Sequence, residues 1–197
     1  MGFTKKTTYY TGVVYEFNLP TGWSCPYADT CLVKVDKGTG RMENKSDAYR
    51  CYAASAERFP GVRKSRWSNF EDAKQGKIPP LPRNAKHVRI HMSGDFFSQA
   101  YFDAWLNYCR EHPDVEFWAY TKSLRYWIAR KDSIPPNLVL TASYGGRDDH
   151  LIKEHGLKYA LVVTKKEAQG DARPIDTNDD LARTPDVCFL LLDNNER

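Results

Sequence analysis

The period of the apolar residues changes near residue 87. Upstream, Thr7 to Leu19 mixes β-branched and aromatic side chains and stops at Pro20-Thr21-Gly22, which predicts a strand or hairpin entering a loop. A polar, glycine-containing stretch, Asp36 to Asn44, follows. Ser46 is then placed to cap a helix running through Ala48, Cys51, Ala54 and Ala56. Pro60-Gly61 bends or ends it, Val62 to Ala73 reads as another helical piece, and Gly76 to Pro82 is rich in turn residues. From His87 onward short apolar runs alternate with helical spacing. The strands predicted are His87 to Met92, Val115 to Tyr120, Leu138 to Ala142, Tyr159 to Val163 and Val187 to Leu192. Helices Ser98 to His112, Ser123 to Lys131 and Arg147 to His155 lie between them, and 167–186 reads as an irregular polar segment.

Strands alternating with helices imply parallel strands joined by right-handed crossovers. The class expected is therefore α/β, with about six strands forming an open or partial barrel or a wound sheet. In either architecture ligands bind where strands end and lead into helices. Those ends read Ser93-Gly94-Asp95, Thr121-Lys122, Ser143-Tyr144-Gly145-Gly146-Arg147, Thr164-Lys165-Lys166 and Asp193-Asn194-Asn195, a polar, glycine-bearing rim.

The chain has 197 residues, 41% of them apolar and 13% aromatic, enough for one domain (1–197) with a substantial core and too apolar for a disordered chain. A net charge of +4 permits contact with nucleic acid without demanding it. No run of roughly 18 apolar residues is present to span a membrane, and Met1 to Tyr10 lacks the apolar stretch of a signal peptide, so a cytoplasmic location is expected.

Under that expectation, five cysteines point to bound metal or buried thiols rather than to a disulfide framework. Cys25 and Cys31 fall in a Pro/Gly-punctuated polar loop (20–50), and Cys51 in the helix returning from it, so all three can converge at the rim. Soft thiolates select zinc, copper(I) or iron-sulfur clusters. Packing as small hydrophobes is the competing reading. Cys109 shares one helix face with Tyr101, Phe102, Trp105 and Leu106, and Cys188 begins the last strand, so both belong elsewhere. Three thiolates leave one position open on a cluster, whereas structural zinc takes four protein ligands. Asp95, His91 and Asp193 are the nearest residues that could close that position.

The runs Cys25-Pro26-Tyr27-Ala28-Asp29-Thr30-Cys31, Arg50-Cys51-Tyr52-Ala53-Ala54-Ser55, His91-Met92-Ser93-Gly94-Asp95-Phe96-Phe97 and Leu140 to Arg147 resemble the actinophage gene product 88 family. The resemblance spans most of 20–192 and implies a phage origin, in the cytoplasm of a bacterial host. The order of cysteine loop, Cys-Tyr-Ala helix, strand ending Ser-Gly-Asp and strand ending Tyr-Thr-Lys is also similar to the radical S-adenosylmethionine (SAM) proteins. That second resemblance implies a partial (βα)6 barrel whose N-terminal cysteine loop holds a four-iron four-sulfur cluster on Cys25, Cys31 and Cys51. It further implies SAM at the open iron, with Gly94 and Asp95 matching residues that contact its amino group, and radical chemistry on a substrate that the sequence does not disclose. Ser93, Lys122 and Tyr144 are the further candidates for the cofactor site. The chain departs from the superfamily in spacing its cysteines by five and nineteen intervening residues and in carrying Asp for Glu at position 95.

Arg58, Arg63, Lys64, Arg66 and Trp67 form a basic, aromatic-interleaved stretch that could contact phosphates while a base stacks on the indole, or could simply be a solvated helix face. Lys122 could bind a carboxylate or phosphate. His150 and His155, five apart on a helix, are a poor chelating pair. The expectation is an iron-sulfur protein that is a SAM-dependent radical enzyme or, alternatively, a non-catalytic iron-sulfur or zinc protein binding nucleic acid or a host protein.

Overall fold

The structure, a computed structural model, describes residues 2–44 and 51–193. β1 (Thr4–Lys6) pairs antiparallel with β2 (Val14–Phe17), and a small separate hairpin is made by β3 (Val33–Val35) and β4 (Met42–Asn44). The remaining strands are β5 (His87–Ile90), β6 (Glu116–Thr121), β7 (Leu138–Ser143), β8 (Tyr159–Val163), β9 (Ile175–Asp176) and β10 (Phe189–Leu192). The eight-stranded sheet runs β1-β2-β5-β6-β7-β8-β10-β9, and every pair after β1-β2 is parallel. Its edges, β1 and β9, are not joined, so the sheet is open rather than a closed barrel.

The order β2-β5-β6-β7-β8-β10 never reverses. Right-handed crossovers that keep one direction place their helices on one face of the sheet. The core bears this out: Phe17, Val88, Ile90, Phe117, Ala119, Leu138 and Leu140 pack in one cluster with side chains of α1 (Pro60–Ala73), α2 (Gln99–Glu111), α3 (Leu124–Ile128) and α4 (His150–Glu154). Strand alternation turns Glu16, Arg89, Trp118, Tyr120 and Val139 to the other, inner face.

The two halves of the chain obey the sequence pattern unequally. Ser98 caps α2 as predicted, its hydroxyl accepting from the Tyr101 N–H at 3.2 Å. Pro60, expected to bend or end a helix, instead starts α1, where its missing N–H costs nothing. Residues 45–50, including the predicted cap Ser46, lie outside the described residues, and Ala54–Arg58 is a short 3-10 turn. The segment 167–186, expected to be irregular, contains β9 and α6 (Asp180–Arg183), preceded by α5 (Lys165–Ala168).

That segment covers the inner face. The four residues of α6 are too few to form a helix alone. Side chains hold both ends: the Asp176 carboxylate accepts from the N–H groups of Leu181 (3.0 Å) and Ala182 (3.1 Å), and buried Lys158 donates to the carbonyls of Leu181, Ala182 and Thr184 at 2.8–2.9 Å. Arg183 then clamps Glu116 at the start of β6 through two bonds of 3.0 and 2.7 Å. Among the described residues no helix is long and apolar enough to cross a membrane.

Burial lowers the Lys158 pKa to about 8 against the opposing pull of the Asp176 carboxylate. Lys158→Met would leave its three carbonyl partners unpaired and should cost about 3 kcal/mol in urea denaturation. A loss under about 0.5 kcal/mol would show that α6 docks without this cap.

Candidate functional site

One cavity of about 400 Å³ opens at the carboxyl ends of the strands and reaches into the inner face. Glu16 of β2 and Leu191 of β10 both line it, although a flat sheet would hold those strands about 24 Å apart. The sheet is therefore curled around the cavity. Cys25, Cys31 and Cys51 line its wall together with Ser93, Gly94, Asp95 and Lys122. Cys109 is buried in α2, and neither it nor Cys188 reaches the cavity. All five thiols are unbridged.

The cysteine loop is held from two strand ends. After β5, the Leu19 N–H donates to the Ser93 carbonyl (2.9 Å), and the Ser93 hydroxyl returns a bond of 2.9 Å to the Leu19 carbonyl. Gly94, at φ 89°, presses so closely on this loop that a Cβ would stand 2.6 Å from both Leu19 Cβ and Ser24 Oγ. After β7, the Gly145 carbonyl accepts the N–H groups of Asp29 and Thr30, each at 3.2 Å, and the Arg147 N–H donates to the Tyr27 carbonyl at 2.9 Å. Asp149 fixes that glycine turn by accepting from the N–H groups of Gly145 (2.8 Å) and Gly146 (2.9 Å). A third tie joins the Cys25 and Cys51 segments. Glu57 Oε1 accepts from the Thr21 N–H (2.8 Å) and from Arg66 Nη1 (2.9 Å), and Arg66 Nη1 also donates to the Ala53 carbonyl.

The other predicted residues take different roles. Asp95 spends one oxygen on the Phe96 N–H (2.7 Å) and the Thr121 hydroxyl (2.6 Å) and the other on the Lys122 N–H (2.8 Å), locking the ends of β5 and β6 together. Burial raises its pKa against the pull of these bonds. Lys122 reaches across the rim and donates to the Ser143 hydroxyl at 2.7 Å. Tyr144 is a correction: it does not line the cavity but packs edge-on against Tyr159. In the basic stretch, Arg63 and Arg66 are buried. Arg63 binds the carbonyls of Lys37, Gly38, Glu57 and Arg58, tying the β3-β4 turn to α1, so neither guanidinium is presented to a phosphate. Trp67 packs at a tilt against Trp23 and edge-on to Phe70, while Arg58 and Lys64 are exposed. Asp193 follows β10 outside the cavity wall, its N–H bonded to the Val163 carbonyl.

Sequence reasoning missed the cavity floor. Arg89 on β5 pairs with Asp179 at 2.7 Å, both buried, and Asp179 also accepts from the Trp118 indole (3.1 Å) and the Tyr120 hydroxyl (3.2 Å). Tyr10 accepts from Arg89 at 3.1 Å and donates to Glu16 at 2.6 Å. Burial alone would lower the Arg89 pKa; Asp179 and the tyrosines more than reverse that, so the guanidinium stays charged. The charge of Arg89 between Val88 and Ile90 in a predicted strand was the available signal.

Among known proteins, the family described as Gene product 88 matches residues 2–195. The chain belongs to the gene product 88 family. The Gene 88 proteins of Mycobacterium phage L5 and of Mycobacterium phage D29 are each 31% identical to this family member over 134 residues, which cover 56% of this chain and 48% of theirs. It thus spans about half the length of these curated bacteriophage relatives. No solved structure matches this gene product 88 chain.

The donor set is soft and unbridged. Desolvation raises the pKa of Cys25 most, with Asp95 and Cys51 adding to it, and raises that of Cys51 with Cys31 next, so the thiols act on one another electrostatically across the cavity. As placed, no three His, Cys, Asp or Glu side chains among the described residues are gathered tightly enough to hold one metal ion. Single ions draw their ligands into one shell with Zn–S near ~2.3 Å, whereas a cluster takes each thiolate at a different iron and accommodates wider spacing.

Two outcomes test this geometry. Gly145→Ala must strain a φ of 94° and push on Thr30, so the Cys25 thiol should be alkylated about tenfold faster under native conditions. An unchanged rate would mean that the β7 turn does not hold the loop. His91, buried with Nε2 2.8 Å from the Tyr101 hydroxyl, is held neutral: burial lowers its pKa from 6.5 to about 3. Below pH 6.5 the unfolded chain binds this proton first, so stability falls with pH by about 1.4 kcal/mol per unit toward pH ~3. His91→Gln should flatten that part of the stability-pH curve, and equal slopes for both proteins would refute it.

Proposed function

We propose that this phage protein binds a four-iron four-sulfur cluster on Cys25, Cys31 and Cys51, at the mouth of an open βα barrel of the radical SAM type, and acts as a SAM-dependent radical enzyme. The observation that carries the reading is that three thiols, from two separate stretches of chain, line one cavity at the carboxyl ends of consecutive parallel strands. Unidirectional strand order, helices on one face and a curled inner face support the barrel half of it.

When bound, a cluster with one iron free of protein thiolate supplies an electron to a chelating sulfonium ligand such as SAM. The chain's own residues account for holding and shielding. Three clamps, through Ser93, the Gly145 carbonyl and Glu57, fix the cysteine segments before any cofactor arrives. Of the residues named for a fourth position, both Asp95 oxygens have protein partners and Asp193 is outside the wall, while His91, bonded through Nε2, keeps an unpartnered Nδ1. Gly94 leaves backbone rather than side chain facing the thiols, and Lys122 keeps an ammonium at the rim for a carboxylate.

Anaerobic purification followed by iron and sulfide analysis tests the first half. The wild type should be brown, Cys51→Ser should lose iron and sulfide, and Cys109→Ser should keep both. Retention in Cys51→Ser together with loss in Cys109→Ser would overturn the assignment. Release of 5′-deoxyadenosine from SAM under reducing conditions tests the second half. An intact cluster without that release, and with an electron paramagnetic resonance signal unmoved by excess SAM, would leave a non-catalytic iron-sulfur protein.

A further inference from the structure

The hydrogen-bond inventory of the cavity is lopsided. Its buried carboxylates are spent: Glu16 accepts from Tyr10 and from the Asn18 amide, Asp95 from Phe96, Thr121 and Lys122, and Asp179 from Arg89, Trp118 and Tyr120. Donors are left over. Arg89 is 6% exposed and has five N–H groups, yet Asp179 and Tyr10 both take theirs from Nη1. Its Nε is buried with no acceptor, and among the described residues Nη2 has only the Tyr52 hydroxyl at 3.4 Å, long for a hydrogen bond.

The unused pair is one edge of the guanidinium. Elsewhere in this chain that same Nε–Nη2 edge takes a carboxylate bidentately: Arg125 on Asp148 (2.8 and 2.8 Å), Arg183 on Glu116 (3.0 and 2.7 Å) and Arg173 on Asp171 (2.9 and 2.5 Å). Arg89, which lines the cavity, alone among these has no carboxylate on that edge, and its Nε is covered in the closed state. We propose that Arg89 anchors the carboxylate of a small substrate through Nε and Nη2, with the body of the substrate directed between Tyr10, Tyr52 and Tyr120 toward the rim cysteines. Tyr52, 45% exposed, is the gate: its long contact to Nη2 is the one a ligand oxygen replaces, and opening the edge exchanges the bond of 2.9 Å that its hydroxyl donates to the Met92 carbonyl. A monoanion fits better than a phosphate dianion, because Glu16 and Asp179 already place two carboxylates beside the guanidinium.

The inference rests on reading this cavity as the reaction chamber, and it is tested without turnover. Benzoate and phenyl phosphate are titrated into the full chain as isolated, following the Arg89 Nε–H resonance by 15N NMR, with iron assayed on the same sample. Benzoate should shift that resonance saturably in the millimolar range, and Arg89→Lys, which keeps the charge but not the fork, should weaken its binding about tenfold. Arg125→Lys, on the outer surface, should not. The wild-type titration stands even if Arg89→Lys fails to fold. No shift with benzoate, tighter binding of phenyl phosphate, or equal weakening by Arg125→Lys would overturn the assignment. Benzoate binding without iron would leave it standing while removing the cluster; iron without benzoate binding would do the reverse.

Discussion

A guanidinium on the inside of a curled parallel sheet cannot remain there unpaired, and much of this structure follows from how Arg89 is neutralised. Desolvating such a charge costs several kcal/mol unless a counter-ion and hydrogen bonds accompany it. The counter-ion is Asp179, in a left-handed conformation (φ 65°) that aspartate tolerates, immediately before α6. Placing that carboxylate under Arg89 requires the segment around it to lie on the inner face. Asp176, Lys158 and Arg183 serve that placement by fixing the two ends of α6 and its position on β6. The floor of the cavity is thus a polar plug of charged and aromatic side chains rather than an aliphatic layer.

Above the floor, the rim is built by subtraction. Gly94 and Gly145 bring backbone against the cysteine loop where a side chain would push it away, and the polar side chains beside them point their bonds at neighbouring strand ends instead of at the opening. The thiols are left as the chemically distinctive groups in the wall. Glu57 and Arg66 add the link that the cysteine spacing leaves open, because the long excursion between Cys31 and Cys51 must return to the same place.

The βα half of the chain was legible in sequence because its strands are buried on the helix face and bounded by polar turns; β8, Tyr159–Val163, lies where the pattern puts it. Residues 167–186 were not, since α6 and β9 have no period of their own and exist only by capping and pairing with distant residues. The cysteines were readable as a group, because a loop that follows the first strand and the segment returning from it both border the same cavity. The floor was not, because an arginine in a strand discloses nothing about which carboxylate will reach it. Arg63 and Arg66 misled for a related reason: a basic run on a helix looks solvated until the partners for its inward-facing members, a 3-10 turn and a hairpin turn, are known. Tyr144 was assigned to the rim by its place after a strand, but its ring turns back onto β8.

The plug also sets a schedule. Asp179 reaches Trp118 across 61 positions, and Thr11 meets Asp180 across 169, so the floor is among the last parts of the chain that can form. Contacts of such separation pay their loop-closure entropy late and slow the final stage of folding. Until then the wall bearing the thiols has no bottom, and Arg89 faces water. A chain emerging from the ribosome would therefore display its cysteine loop for the whole time needed to synthesise the floor, which makes that interval, rather than the finished protein, the period in which the thiols are most open to metal or to oxidation.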